Sequence, residues 1–515
     1  MTDSHSDNTR RIAKNTLALY VRMLFGMLVS LYTSRVILNA LGVVDFGIQN
    51  VVGGVVGMLS LISASLSSAT SRFLTFELGK GDITKLKQVF STALIIHLAL
   101  AGIIFVVAET VGLWFLNTQM TIPAERMYAA NWVYQNTILS FILGLLSIPF
   151  NSSIISHERM TAFAYFGILD IILKLCVVLF IAYVPFSFDK LIVFSCLFTA
   201  VGITMQTIYF IFCRRNFEEC RINIKFDKQC WKEMSGFATW NFIGCTAGLL
   251  KDQGVNILLN IFIGPVLNAA RGIAGQVNNA VSAFAGNFMT ALNPQITKSY
   301  AADDREYMFS LVERGSRFSF YIMLILALPI LFETNTILTI WLKEFPEHTI
   351  NFVRLIIVLT LSDILSNTLI TLQNATGKIR NYQIAVGGML MMNFPLSYLF
   401  LWLGFAPECT LLVAIAVSVA CMMLRLLFLR KMAGLSIRRF LKNVYFNVIS
   451  VTALSAIVPA IAYKTIPEGL PRFFSVVAIC IVSSCAVIYF VGCNPNEREF
   501  LLAQIKKAFT RFRHD

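Results

Sequence analysis

Apolar segments of about twenty residues recur along this chain, separated by short polar stretches. A helix needs roughly 20 mainly apolar residues to cross a bilayer. By that rule the pattern predicts about fourteen spanning helices, at 16–38, 47–70, 89–114, 131–154, 162–184, 190–213, 237–263, 267–291, 318–341, 350–372, 382–404, 407–429, 441–463 and 472–492. Segments 47–70 and 267–291 carry much Gly, Ser and Asn. They read as helices packed inside a bundle, where small residues let backbones approach closely. The first apolar run follows a polar start and the basic residues Arg10, Arg11 and Lys14. It is too long for a signal-peptide core and lacks a small-residue cleavage site, so it reads as a retained first span.

Composition agrees: 57% of residues are hydrophobic, only 14% are charged, and the mean hydropathy is +0.71. A soluble domain is typically about 25% charged. The basic residues carry the topology. Thirty lysines and arginines fall in alternate gaps counted from the N-terminus, the largest group running from Arg214 to Lys232. Only five, Arg126, Lys190, Lys343, Lys464 and Arg472, fall in the opposite gaps. Under the positive-inside rule this predicts two cytoplasmic termini and an even number of spans. The net charge of +14 is then a topology signal rather than a sign of nucleic-acid binding.

The chain also repeats. Val36-Ile37-Leu38-Asn39-Ala40-Leu41-Gly42 precedes the second span much as Asn256 to Gly264 precedes the eighth. From Gly42 to Asp82 and from Gly264 to Asp304 the separation is 40 residues in both cases. This predicts an N-terminal six-helix lobe (1–213), a cytoplasmic inter-lobe loop (214–236), a C-terminal six-helix lobe (237–431), two additional spans (432–493) and a basic cytoplasmic tail (494–515). Six is even, so the lobes share one orientation, an arrangement known in transporters that hold substrate between their halves.

Two stretches carry a family resemblance. Arg35 to Gly42 with Asp45-Phe46-Gly47-Ile48, and Asn268-Ala269-Ala270-Arg271-Gly272-Ile273-Ala274 running to Asn293-Pro294-Gln295-Ile296, resemble the multidrug/oligosaccharidyl-lipid/polysaccharide (MOP) exporter superfamily. The second is similar to polysaccharide-export, O-antigen flippase-like members. The resemblance implies an all-α integral membrane protein with a MATE/MOP-like two-lobe bundle of 6+6+2 helices. It also implies flipping of a lipid-linked oligosaccharide, on undecaprenyl pyrophosphate, across a bacterial cytoplasmic membrane for surface polysaccharide synthesis. Partners would be that lipid-linked substrate, H⁺ or Na⁺ as coupling ion, and a polysaccharide polymerase or glycosyltransferases.

The residues themselves show no hydrolase triad, zinc spacing, P-loop or dinucleotide fingerprint, so nothing points to an enzyme, a metal, a cofactor or ATP. Seven cations lie inside the apolar segments: Arg22, Arg35, Lys174, Lys251, Arg271, Arg354 and Arg425. A cation at the bilayer centre costs at least about 2.5–3.5 kcal/mol, so such residues usually face a bundle interior or a wet cavity. Arg425 reads as an interface anchor continuing into Arg430 and Lys431, Arg35 as part of a turn, and Arg354 as near an outer end. Asp170 and Lys174 are spaced as an i,i+4 ion pair. Arg22, Lys251 and Arg271 remain as candidates for a cationic cavity that contacts pyrophosphate. Arginine suits that task because its planar donors match phosphate oxygens. For Arg22, snorkelling to the interface is the competing role. Asp252, Asn256, Asn260, Asn279, Asp363 and Asn367 are candidates for polar cavity or ion-coupling positions, with helix packing as their plain alternative. Glu109 and Glu333 are weaker acids of the same kind, and His97 reads as a packed polar residue.

Two other functions compete. A MATE-type cation or drug antiporter would need cavity acids, which Asp252 and Asp363 supply. A membrane-embedded glycosyltransferase would need carboxylates in a large outer loop, and the outer loops here are short.

Overall fold

The structure is a computed structural model. It describes residues 2–499 except 58, 119, 121, 186, 222–226, 264 and 496. The side chains of residues 2–10 and of scattered helix positions, Arg35, Asp252 and Asn260 among them, lie outside the described residues, as does most of the tail expected at 494–515.

Among the described residues every regular element is a helix. The first, α1 (Thr2–Gly57), is broken at Gly42, whose φ of 81° and ψ of 170° are non-helical. That backbone conformation is essentially restricted to glycine, and it turns the first expected span into the second. α2 (Ser60–Lys80) follows, and α3 (Ile83–Val107) passes through a π-helical turn into α4 (Leu113–Thr118). Next come α5 (Met127–Ser156), α6 (Met160–Tyr183), α7 (Lys190–Asn216), α8 (Lys228–Phe262) and α9 (Pro265–Ala301). The second half holds α10 (Arg305–Phe332), α11 (Thr334–Leu342), α12 (Thr349–Ile364), α13 (Asn367–Thr376), α14 (Arg380–Met391) and α15 (Asn393–Trp402). α16 (Cys409–Ala433), α17 (Ile437–Phe440), α18 (Asn447–Thr465) and α19 (Leu470–Val487) complete it.

Among the described residues eleven helical segments are long and apolar enough to cross a membrane. The expected spans 47–70, 237–263 and 267–291 are helical but are not among the eleven. Their small and polar residues, the feature that marked the first and last in the sequence, lower the hydropathy. Four expected spans are also interrupted, one of them 47–70, where α1 ends at Gly57 and α2 begins at Ser60. The segment 318–341 breaks at Glu333, 350–372 at Leu365–Ser366, and 382–404 at Met392.

The chain divides into two compact units, Met1–Thr246 with Thr290–Arg305, and Ala247–Met289 with Glu306–Asp515. α8 and α9 therefore each contribute residues to both. In the first unit α5 packs on α7 and α2, and α1 packs on α6. Its largest described core gathers Val52, Leu116, Ala130, Val133 and Tyr134. One end is fixed by Arg126, whose Nε lies 2.8 Å from Asp45 Oδ1 and whose Nη1 lies 2.5 Å from Asp189 Oδ2. Asp189 also caps α7, accepting from the amides of Leu191 and Ile192. Burial pushes the Asp189 carboxyl up, but Arg126 and those amides outweigh it and hold the group below the usual range.

In the second unit α12 packs on α16 around a core that includes Leu259, Ala270, Leu338 and Phe352, and α18 packs on α19. The C-terminal helices are tied to α10 by buried charges. Arg317 pairs with Glu497 at 2.7 Å and donates to the Gly492 carbonyl at 3.0 Å; Arg439 pairs with Glu313 at 2.7 Å. At the other end of α10, Glu333 pairs with Arg472 at 3.0 Å, and the Arg472 guanidinium lies 4.6 Å from the Tyr463 ring centroid. Glu333 thus joins the end of α10 to α19 through a buried ion pair.

Candidate functional site

Each unit gathers the polar residues of its apolar helices into a cluster. In the first unit the cluster lies where α1, α6 and α7 meet. Arg22 is half-buried and its guanidinium sits 4.7 Å from the centroid of the Phe163 ring on α6. Gly167, one turn further along α6, leaves room for it; a methyl there would overlap the Arg22 side chain. Arg22 therefore lies against α6. Lys174 donates to Asp170 at 2.8 Å, both residues half-buried on α6. Tyr209 on α7 lies within electrostatic reach of both Asp170 and Arg22. The cluster thus holds two cations and one anion.

In the second unit four helices contribute. Lys251 on α8 is buried at 9% exposure, unusual for a lysine. Asp363, at the end of α12, accepts a short hydrogen bond from the Ser418 hydroxyl of α16, which also meets Ser362 at 3.1 Å. One turn along α16 lies the buried thiol of Cys421, within electrostatic reach of Lys251, Asp363 and Arg425. Arg425 itself is buried at 7% exposure, its Nε donating to the Tyr382 hydroxyl at 3.1 Å. This corrects the reading of Arg425 as an interface anchor. Arg430 and Lys431 are exposed, but Arg425, five residues before Arg430, lies about 140° round the helix and points into the packing. The α12–α13 break begins at Asp363, whose carbonyl accepts from the Ser366 amide at 2.9 Å. Two cations and one carboxylate therefore lie around one buried thiol, beside a helix discontinuity.

The remaining candidates are more scattered. Arg271 is half-buried on α9. Asn256 donates to Gln253 on its own helix at 3.3 Å. Asn279 is exposed, and its neighbour Asn278 makes the link to α12, accepting from Thr360 at 2.6 Å. Asn367 opens α13, its carbonyl taking the Thr371 hydroxyl at 3.1 Å. Asp252 and Asn260 lie outside the described residues. Arg354 donates to the Leu331 carbonyl and to Thr334 Oγ1, both at 3.2 Å, closing the end of α10. His97 is fully buried with Nδ1 2.7 Å from the Ala93 carbonyl, so that nitrogen carries the proton and donates. Glu109 accepts from Gln135 at 3.1 Å.

Glu158 was invisible to sequence reasoning. It sits in the α5–α6 turn with φ of 58°, and its carboxylate is 1% exposed. Lys298 lies 2.6 Å away, Gln295 2.5 Å and Arg11 2.7 Å. Asn15 donates to its backbone carbonyl at 3.2 Å. A turn residue of unremarkable composition thus ties the start of α1 to the end of α9. Burial pulls the Lys298 ammonium below the usual lysine range, and Glu158 opposes that pull.

No protein-family model matches the chain, and no curated protein matches it. Solved structures do. A MATE protein in its straight conformation superposes with a TM-score of 0.71 at 12% identity, covering 83% of this chain and 97% of that one. A multidrug resistance MATE family transporter of the MOP superfamily, in an outward-facing conformation, gives 0.68 at 14% identity, covering 82% and 96%. A MOP superfamily transporter from Pyrococcus furiosus, for which reverse polarity of the binding pocket suggests a different function, gives 0.66 at 12% identity, covering 82% and 95%. By fold, this chain is an all-helical, multi-pass membrane protein of the MATE-like transporter architecture found in the MOP superfamily.

Proposed function

We propose that the chain is a transporter that flips a lipid-linked anion, an oligosaccharide on a pyrophosphate carrier, across a cytoplasmic membrane by alternating access. The observation that carries this reading is the sign of the polar clusters. Arg22 and Lys174 in one unit, and Lys251 and Arg425 in the other, outnumber Asp170 and Asp363. A surplus cation in a low-dielectric site attracts an anion strongly, which offsets part of its burial cost. A carrier of organic cations needs the opposite balance. The fold tolerates such a change of polarity, since one fold neighbour carries a pocket of reverse polarity. The pattern of Arg271 and its neighbours, which resembles polysaccharide-export members, favours a glycan over other anions.

A second reading, a MATE-type antiporter for cations or drugs, draws on Asp363 and on the multidrug resistance transporter among the fold neighbours. One experiment separates the two. Arg22, Lys251 and Arg271 are replaced singly by alanine in a strain whose surface glycan depends on this chain. At equal protein levels the flippase reading predicts reduced glycan display and unchanged tolerance to toxic organic cations. Normal display in all three variants overturns it, and lost cation tolerance favours the antiporter.

A further inference from the structure

α16 ends on Gly434, which takes a left-handed conformation (φ 78°) that lets the chain turn at once. Helix resumes at Ile437, capped by the Ser436 hydroxyl, which accepts from the Arg439 amide at 3.3 Å. The short connection leaves an open cavity of about 660 Å³ beside it. Three of its lining residues are the cations Arg430, Arg438 and Lys442; three are the apolar Ile437, Leu441 and Phe446. Leu441–Phe446 is π-helical, a local widening that often marks a functional site.

The charges here are uncommitted. Arg439, adjacent in sequence, is neutralised by Glu313 at 2.7 Å. Among the described residues no carboxylate lies within salt-bridge distance of Arg430, Arg438 or Lys442. All three are exposed, and Phe446 beside them is 75% exposed. Three cations converging on one cavity favour a multiply charged anion. A free anion would make no use of the apolar half. A lipid headgroup would, because its phosphate and its chain leave in opposite directions. The cavity lies between two membrane-crossing segments, Cys409–Ala433 and Ile437–Thr465, on the side that the basic loops assign to the cytoplasm. Basic pockets between spanning helices on that side are the usual seats of anionic headgroups.

We propose that this cavity binds the phosphate headgroup of a lipid in the cytoplasmic leaflet, with its hydrocarbon running along Phe446. The site stands whichever cargo the transporter carries.

The test uses the full chain, incubated with vesicles of zwitterionic phospholipid containing a phosphate-monoester lipid, then purified and assayed for retained anionic lipid. Arg438→Gln/Lys442→Gln is compared with Arg215→Gln/Arg221→Gln, which removes equal charge from the exposed end of α7 and the loop after it. The pocket pair is expected to lower retention roughly tenfold or more, and the loop pair to leave it unchanged. Equal retention in the pocket pair and the unaltered chain overturns the site. A second arm adds inorganic pyrophosphate. Displacement only at large excess supports a lipid; displacement at matched concentration assigns the cavity to a free phosphate compound and overturns the lipid. Phe446→Ser, which leaves every cation in place, is expected to lower lipid retention without altering pyrophosphate binding. Unchanged lipid retention in this variant overturns the placement of the chain, and serves as a check if the double variant misfolds.

Discussion

Replacing Glu158 with glutamine keeps its shape and backbone geometry but removes the charge that Lys298 and Arg11 share. The three contacts are not equal. Arg11 is 49% exposed, so its pairing contributes about 1 kcal/mol or less. Lys298 is only 24% exposed and faces a carboxylate at 1% exposure. Removing one partner of a fully buried pair costs about 3–5 kcal/mol. Partial access of Lys298 to water reduces that, and the total for Glu158→Gln comes to about 2–4 kcal/mol. In a unit of roughly 250 residues each kcal/mol lowers the midpoint by about 2–4 °C, so a fall of about 5–10 °C is expected. The assay is the thermal midpoint of the detergent-purified protein, followed by near-ultraviolet circular dichroism. Lys298→Met in the same background supplies the coupling. The double variant should lose clearly less than the sum of the two single losses, because the second change removes the stranded ammonium. A midpoint for Glu158→Gln within about 1 °C of the unaltered chain would refute the reasoning, since the scale puts even 1 kcal/mol above that.

Other outcomes follow from other contacts. Gly42→Ala places a side chain at φ 81° and ψ 170°, and should cost about 1–3 kcal/mol, read as a lower yield of folded protein. Arg472→Met strands the buried Glu333 and should destabilise by about 3–5 kcal/mol, whereas Arg472→Met/Glu333→Leu should recover most of it, measured by thermal midpoint. Gly167→Val drives the Arg22 side chain off its place over Phe163, and should lower transport with the protein still inserted and monodisperse, measured in a vesicle flipping assay. Arg425→Leu should destabilise the packing of α16 on α14, while Arg430→Gln, exposed five residues later, should leave the midpoint unchanged.

The helical membrane architecture was legible because it rests on composition and on alternation of charge, both of which survive in a single sequence. Gly42 announced a turn, and the i,i+4 spacing of Asp170 and Lys174 announced a contact. What the sequence hid comes from geometry across helices. Lys251, Asp363 and Arg425 are separated by more than a hundred residues from first to last, and only the packing of α8, α12 and α16 brings them to one thiol. Arg425 misled because Arg430 and Lys431 are basic and exposed, while a five-residue offset places Arg425 on the other side of the helix, against a packed tyrosine. Glu158 left no trace because a carboxylate in a loop looks solvated until the chain that covers it is known. The interruptions at Glu333, Leu365–Ser366 and Met392 went unread because each flanking segment is apolar on average, although Glu333-Thr334-Asn335-Thr336 is a polar run and Pro395 lies three residues after Met392.

The cationic character of the polar clusters is most directly tested in reconstituted vesicles. A fluorescent lipid-linked oligosaccharide on a pyrophosphate carrier is placed in both leaflets, and the fraction reached by an added quencher is followed with time. The account predicts protein-dependent flipping that falls in Arg22→Ala and Lys251→Ala, with no uptake of an organic cation under an imposed gradient. Cation uptake without lipid flipping, or flipping unaffected by either substitution, would contradict it.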